Sequence, residues 1–205
     1  MADTKREIER KFEFSTSKSA RRGVPDLTGT AAIAAVSDQG TVDLDAVYYD
    51  TADQRLAADG LTLRRRTGGA DEGWHLKLPV SPGVRDEVGA ALSDTVPPSL
   101  AALVRSRVRG AGLQPQVRLL SSRKVSHLLD AGGTLLAELS TDAVVAERGE
   151  TTAAWTEVEV ELADGVDPEL LDAVEKTFRK AGLRVSDAPS KLARALAETA
   201  GAPPA

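Results

Sequence analysis

Polar and apolar residues alternate with a period of two along several segments of the chain. The opening run from Glu7 to Phe14 is one of them, and it places Glu7, Glu9 and Lys11 on one face of a strand. The same pattern predicts further strands over residues 31–36, 41–49, 61–67, 73–78, 84–88, 116–129, 134–146 and 152–162. We expect the segments at 31–36 and 41–49 to form a hairpin with a tight turn at Gln39-Gly40.

Capping residues and helical spacing predict four helices around these strands. A short helix over residues 52–58 would follow the cap residues Asp50-Thr51, and another over residues 98–109 would begin after Pro97. Two more are predicted over residues 167–181 and from Pro189 to just before Gly201. Residues 15–29 have the composition of a loop that could include a short helix. The pattern therefore predicts an α+β fold in which helices flank a closed or nearly closed antiparallel sheet.

The polar faces of the predicted strands carry unusually ordered charge. Glu157, Glu159 and Glu161 share one face, and three adjacent carboxylates repel one another unless cations face them. Any one such run alone is more typical of a solvated strand face. Inward-facing basic candidates lie on other predicted strands, at Arg64, Arg66, Lys77, Arg85 and Arg123. A barrel that turns all of these inward has a wet, charged interior, in which carboxylates suit Mg²⁺ or Mn²⁺ and guanidinium groups suit phosphate oxygens.

Composition narrows the class of protein. The chain has 205 residues, 28% of them charged, a formal net charge of -5 and no cysteine. These values fit one globular domain, exclude thiolate metal sites and disulfides, and give no general attraction to a membrane or to duplex nucleic acid. The charged N-terminus from Met1 to Arg10 is unlike a signal peptide, and no apolar stretch reaches the length of a membrane span. We expect a cytoplasmic protein with one domain over residues 1–200 and a flexible tail over 201–205.

Several blocks of the sequence, in order, resemble the CYTH superfamily of triphosphate tunnel metalloenzymes. Glu7-Ile8-Glu9-Arg10-Lys11 matches the family's ExExK signature, and Tyr48-Tyr49-Asp50-Thr51 followed by Leu63-Arg64-Arg65-Arg66 matches its next block. The pattern continues through residues 74–78, 85–88, Arg123, 137–142, 157–162 and Ser190-Lys191-Leu192. ExExK alone is a weak pattern, but the ordered set is specific and covers nearly the whole chain.

The resemblance implies an eight-stranded antiparallel β-barrel, the triphosphate tunnel, in which acidic residues hold a divalent metal and basic residues hold the triphosphate. The implied metal ligands are Glu7, Glu9, Asp142, Glu157, Glu159 and Glu161. The implied phosphate contacts are Lys11, Arg64, Arg66, Lys77, Arg85, Arg123 and Lys191. Catalytic roles are expected for Glu157, Glu159 and Lys11. The candidates to activate water are Glu157, Glu159 and Glu161, and the sequence does not choose among them. His75, Glu87 and Glu138 share the inward faces, and we expect them to be structural or to balance the arginines.

The resemblance predicts a triphosphatase that uses Mg²⁺ or Mn²⁺ to hydrolyse inorganic triphosphate or a small organic triphosphate, such as thiamine triphosphate or a nucleoside triphosphate. Because only 3% of residues are aromatic, stacking of an organic group is disfavoured and inorganic triphosphate is favoured. Two alternatives stay open: an adenylate cyclase of the related class, and a non-catalytic module that binds polyphosphate. Many bacterial relatives continue into a histidine-rich, polyphosphate-associated CHAD domain, and residues 190–196 resemble the approach to that junction.

Overall fold

The computed structural model describes residues 3–200 and consists of nine strands and five helices within that range. The strands are β1 (Asp3–Phe14), β2 (Ala35–Asp50), β3 (Thr62–Thr67), β4 (Gly73–Ser81), β5 (Val84–Ala90), β6 (Gln114–Leu129), β7 (Leu135–Arg148), β8 (Thr151–Leu162) and β9 (Leu183–Val185). The helices are α1 (Ser17–Arg22), α2 (Arg55–Ala58), α3 (Pro98–Val108), α4 (Glu169–Ala181) and α5 (Lys191–Glu198). The predicted tail at 201–205 lies outside the described residues.

Eight of the strands form a closed antiparallel barrel. They follow the order β5-β4-β3-β2-β6-β7-β8-β1, and β1 closes the ring by pairing with β5 from Asp3 to Ile8. The predicted α+β fold with an eight-stranded antiparallel barrel and flanking helices is therefore confirmed. The three-residue strand β9, which pairs with the end of β1, was not predicted, because so short a run has no measurable period.

The predicted hairpin at Gln39-Gly40 is wrong. Residues 35–50 form the single strand β2, whose pairing with β6 shifts register between Asp38 and Gly40. Gly40 has a φ of 89°, and the Gly40 amide donates a hydrogen bond of 2.8 Å to the Asp38 carboxylate. Glycine at positive φ suits a β-bulge as well as a tight turn. The strand continues because β6 is long enough to pair with both of its halves.

Three hydrophobic clusters explain how the barrel can keep charge inside. One lies under α4, where Phe12 and Val158 pack against Phe178, and another lies under α3, where Trp74 packs with Leu100. Both clusters are formed by outward-facing strand residues covered by helices. Apolar side chains are thus buried outside the barrel and stabilise the fold there, whereas in most small barrels they fill the interior. Outward apolar residues and inward polar ones account for the alternation seen over residues 7–14 of β1, apart from Arg10, and over residues 157–162 of β8.

The third cluster fills one end of the barrel and fixes α5 there. Leu192 and Ala195 of α5 pack with Tyr48, Val144 and Trp155, all from inward strand positions. Ser190 caps the helix by accepting a hydrogen bond from the Ala193 amide at 3.0 Å, and the Arg194 guanidinium stacks 5.0 Å above the Trp155 ring. None of the helices in residues 3–200 combines the length and apolar character that a membrane crossing requires.

Candidate active site

The inward strand faces and the start of α5 enclose a cavity of about 700 Å³. Eight lysines and arginines and seven carboxylates line it, together with His75 and Tyr48. Asp142 and Glu157 lie buried next to this lining. Acidic and basic side chains are thus almost balanced in number, and most of them are paired with one another.

Three predicted metal ligands converge at the end of the cavity near α5. Asp142 on β7 stands opposite Glu157 on β8, and Glu159 follows two residues later on the same face. Each offers a carboxylate oxygen, and these oxygens lie within 4.8 Å of one another. All three residues are buried, with Asp142 0% exposed. We call Asp142, Glu157 and Glu159 the acidic triad.

Lys191 points into the acidic triad from the first turn of α5. Its Nζ lies 2.9 Å from Asp142 Oδ2, 2.5 Å from Glu157 Oε1 and 2.7 Å from Glu159 Oε1. Burial lowers the pKa of Lys191, but the three carboxylates outweigh it and raise the pKa above the ordinary lysine value. The ammonium group therefore stays charged and neutralises part of the triad.

Two more predicted phosphate contacts also touch the triad. Arg123 donates from Nε and Nη2 to the two Asp142 oxygens, both at 2.7 Å, and from Nη2 to Glu159 at 3.1 Å. Lys11 donates to Glu159 and lies 3.2 Å from Glu9 Oε1. Burial raises the pKa of Glu159, but Lys11, Lys191 and Arg123 overcome this and hold it well below the usual glutamate value. Glu159 is therefore a carboxylate anion surrounded by cations.

The remaining predicted metal ligands lie along the wall formed by β1 and β8 and outside the triad. Glu7 accepts a hydrogen bond from Lys77 at 2.5 Å, and Glu9 Oε1 lies 3.4 Å from Arg85 Nη1. Glu161 accepts a hydrogen bond from Lys5 at 2.6 Å, and Lys5 was not among the predicted site residues. Their separation from the triad reflects strand register, since Glu161 stands opposite Glu138 whereas Glu157 stands opposite Asp142.

Arg64 and Arg66 project into the cavity from β3, and each has one acidic partner in the described part of the chain. Arg64 Nη2 lies 3.7 Å from Glu87 Oε2, and the Nε atoms of both arginines have no hydrogen-bond partner in the described part of the chain. Arg66 pairs with Asp71 of the β3–β4 loop, whose carboxylate is largely exposed. Burial and the neighbouring Arg64 charge lower the pKa of Arg66. This wall of the cavity is electropositive.

His75 and Glu87 form a pair that sequence patterns did not assign to the site. His75 Nδ1 lies 2.9 Å from Glu87 Oε1, and its Nε2 lies 3.0 Å from the Asp71 carbonyl oxygen. Burial raises the pKa of Glu87, but His75, Lys77 and Arg64 lower it further than burial raises it. The sequence feature that could have placed His75 in the site is that it shares the inward face of β4 with Lys77. Glu138 lies at the other side of the cavity, with Oε2 3.8 Å from His127 Nε2.

The sequence and the fold of this chain are similar to those of known proteins. The family model of the CYTH domain matches residues 5–196. The chain belongs to the CYTH family. An uncharacterised protein of Mycobacterium tuberculosis strain H37Rv is 41% identical over 211 residues, which cover 94% of this chain and 40% of that protein. This CYTH domain thus spans less than half the length of the curated relatives that it matches.

Solved structures share the fold of this CYTH domain. A candidate adenylate cyclase from Bacillus halodurans superposes with a TM-score of 0.63 and 17% identity, covering 93% of this chain and 97% of that one. A Pyrococcus horikoshii protein superposes with a TM-score of 0.52 and 16% identity, covering 93% and 98% of the two chains. At these identities the likeness concerns the fold alone. The family resemblance of the sequence blocks is confirmed.

The acidic triad of this CYTH domain fits a hard divalent cation. Mg²⁺ and Mn²⁺ prefer carboxylate oxygens, and oxygens within 4.8 Å of one another can share one such ion. Glu157 Oε1 is buried and lies 2.5 Å from Lys191 Nζ, and it makes no other polar contact among residues 3–200. Trp155 Nε1 donates to the other oxygen, Oε2, at 2.7 Å and orients the carboxylate. A cation would therefore reach Glu157 Oε1 only in exchange for the Lys191 ammonium group.

Proposed function

We propose that this CYTH domain is a divalent-metal-dependent triphosphatase. It would hydrolyse the terminal phosphoanhydride bond of inorganic triphosphate or of a small organic triphosphate. The observation that supports this most is the joint position of Lys191, Arg123 and Lys11 on the acidic triad, because phosphate-binding and metal-binding groups meet in one cavity. One cavity would therefore supply both the groups that bind phosphate and the groups that bind metal.

Binding would proceed by exchange of ion pairs. In the structure, the lysines and arginines neutralise the carboxylates, so a polyanion alone would have to displace buried acidic partners at a high cost. A triphosphate that arrives with a divalent cation avoids that cost, because phosphate oxygens take the basic groups while the cation takes the freed carboxylates. The near balance of charge in the cavity therefore favours metal-dependent binding.

The metal would be held by Asp142, Glu157 and Glu159, next to Glu9, with Glu7 and Glu161 as outer carboxylates on the same wall. When bound, a divalent cation supplies positive charge that offsets the charge of the phosphate oxygens. The phosphates would be held by the predicted basic set, which consists of Lys11, Arg64, Arg66, Lys77, Arg85, Arg123 and Lys191. Arg85 is also tied to the start of α5 through the Pro189 carbonyl oxygen.

In the chemical step, a water molecule attacks the terminal phosphorus in line with the bridging oxygen. A P–O bond forms, the bridging P–O bond breaks, and the water proton passes to a carboxylate, leaving orthophosphate and pyrophosphate when the substrate is inorganic triphosphate. Glu159 lines the cavity and Glu157 lies behind it, so we assign proton acceptance to Glu159 and its support to Glu157. Lys11 and Arg123, fixed on Glu159, would hold the charge that develops on the phosphoryl oxygens.

The lining of the cavity favours a substrate without a large ring system. Among the described residues that line it, Tyr48 is the one aromatic side chain besides the imidazole of His75. The tryptophans and the Phe12–Phe178 pair belong to the hydrophobic clusters. With so few surfaces for stacking, we place inorganic triphosphate first among the candidate substrates.

The test is phosphate release from tripolyphosphate, thiamine triphosphate and ATP with Mg²⁺, Mn²⁺ or a chelator. We expect orthophosphate from tripolyphosphate, dependence on metal, and a loss of at least about a hundredfold in Glu159→Gln. Glu147→Gln is the matched control, because Glu147 faces outward on β7 near Arg118. Pyrophosphate and cyclic AMP from ATP would identify an adenylate cyclase. Tight tripolyphosphate binding without turnover under either metal would identify a polyphosphate-binding module.

A further inference from the structure

Asp71 belongs to the loop between β3 and β4, residues 68–72, and lines the cavity beside Arg66. Its carboxylate pairs with the Arg66 guanidinium, and its main-chain carbonyl oxygen accepts a further hydrogen bond from Arg66 Nη2 at 3.3 Å. Arg66 is one of the predicted phosphate contacts, and its side chain is 4% exposed. Asp71 therefore takes up hydrogen-bond donors of Arg66 that a phosphate oxygen would otherwise bind.

The Asp71 carboxylate is far more exposed than the other carboxylates that pair with the predicted phosphate contacts. Its side chain is 67% exposed, whereas those of the other partners in the described part of the chain are at most 13% exposed. These other partners are Glu7, Glu9, Glu87, Asp142, Glu157 and Glu159. A carboxylate near the surface is hydrated by water when it leaves its partner, whereas a buried one needs another cation. Asp71 can thus leave Arg66 without a metal ion to receive it.

The backbone of this loop is fixed on either side of the Arg66 contact. Gly68 has a φ of 83°, and a side chain at this position would collide with the Asp43 carbonyl oxygen of β2, so the start of the loop packs directly on that strand. Further along, the Asp71 carbonyl oxygen lies 3.0 Å from His75 Nε2. Because both contacts hold the main chain, the arginine can be released by rotation of the Asp71 side chain alone.

We propose that Asp71 is an internal competitor of the substrate, whose carboxylate holds Arg66 in the free protein and leaves it when a phosphoryl group binds there. The inference rests on the proposed function, since it requires a triphosphate in this cavity. One anion replaces another on the same guanidinium, so the buried Arg66 charge is never left without a partner. Return of Asp71 to Arg66 would then favour release of the phosphate products.

The decisive variant is Asp71→Asn, which keeps the size of the side chain and removes its negative charge. The probe is imidotriphosphate, in which NH groups replace the bridging oxygens, and its affinity in the presence of Mg²⁺ is measured by calorimetry. We expect Asp71→Asn to bind it about twofold to tenfold more tightly than the wild type, because an ion pair with one exposed partner no longer has to be broken.

Glu72→Gln is the matched control for Asp71→Asn. It removes the same charge from the next position of the same loop, and Glu72 is exposed and does not belong to the cavity lining among the described residues. Its affinity for imidotriphosphate should equal that of the wild type. An equal gain in the two variants would mean that only the overall charge of the loop matters, and would overturn the inference.

A double-mutant cycle shows whether the gain acts through Arg66. If Asp71 competes there, Asp71→Asn should no longer tighten binding once Arg66 is replaced by Met. A gain that persists in Arg66→Met would contradict the inference, and so would an affinity of Asp71→Asn equal to or below that of the wild type, with the proposed function left standing. If Arg66→Met does not fold, the comparison with Glu72→Gln still decides. If the wild-type protein binds neither imidotriphosphate nor tripolyphosphate, the proposed function itself is wrong.

Discussion

Lys191 Nζ lies 2.9 Å from Asp142 Oδ2, in the centre of the three carboxylates best placed to hold a metal ion. An ammonium group and a divalent cation cannot occupy that centre together, since both would claim the same oxygens. Lys191 therefore acts as an internal counter-ion of the acidic triad. Metal binding would move Lys191 off the carboxylates, and its charge would then be available to a phosphate oxygen.

Replacing Lys191 by Met tests whether Lys191 is the counter-ion of the acidic triad and whether it competes with metal there. Without metal, the variant should lose about 3 kcal/mol of unfolding free energy, because three buried carboxylates lose a cation. With Mg²⁺ or Mn²⁺, its melting temperature should rise more than that of the wild type, since the metal no longer competes with an ammonium group. Thermal unfolding with and without metal measures both effects.

Lys176→Met is the control for that comparison. Lys176 is exposed on α4, so its loss should leave both the unfolding free energy and the metal response unchanged. If Lys191→Met and the wild type show the same rise in melting temperature with metal, Lys191 does not compete with metal at the triad.

Asp142→Asn should weaken metal binding at least about tenfold, because a neutral amide is a poorer ligand for a hard cation. Asp45→Asn offers a close control. Asp45 is paired with Arg118 through two hydrogen bonds of 3.0 and 2.7 Å, much as Asp142 is paired with Arg123, but on the outside of the barrel. Titration with Mn²⁺, followed by electron paramagnetic resonance of the free ion, gives the affinity. Equal affinities in the two variants would remove Asp142 from the metal site.

The inward and outward faces of the strands were predictable because a period of two is a local property of the sequence. Glu7, Glu9 and Lys11 share the inward face of β1, and Glu157 and Glu159 share that of β8, as expected. Which carboxylates meet was not predictable, because it depends on register between strands far apart in sequence. The pairing of Asp142 with Glu157 is set by the β7–β8 ladder, which also places Glu161 beside Glu138.

The position of Lys191 was predictable only through the family resemblance. A lysine at the start of a helix is usually solvated, and nothing in its spacing indicates a buried partner. Its insertion depends on how α5 packs, through Leu192 and Ala195, against inward residues of four strands. The bulge at Gly40 was also unpredictable from local sequence. The residues around Gly40 fit a turn, and only their pairing with β6 makes the structure a bulge.

Glu87 should make the stability of the fold depend on pH in the acid range. Its pKa is lower in the folded protein than in an unfolded chain, where it is about 4.3, since His75, Lys77 and Arg64 outweigh its burial. The unfolded state then binds more protons as pH falls, so the stabilisation is complete above about pH 5 and is lost as pH decreases toward the folded pKa.

Glu87→Gln removes that contribution. The variant should be less stable than the wild type by about 1–3 kcal/mol at pH 7, the range for a hydrogen bond to a charged group. Its melting temperature should also fall less steeply than that of the wild type between about pH 5 and pH 3. Parallel curves for the two proteins over that interval would show that Glu87 does not carry this dependence.

Trp155 gives a direct signal for occupation of the acidic triad. Its Nε1 donates to Glu157 Oε2 at 2.7 Å, whereas Trp74 lies in the outer cluster under α3. A cation bound by Glu157 draws charge from the acceptor of that hydrogen bond, and Mn²⁺ also quenches a nearby excited indole. Titration with Mn²⁺ should therefore lower the emission of the wild type and of Trp74→Phe, but not that of Trp155→Phe. A full response in Trp155→Phe would mean that the cation binds away from Glu157.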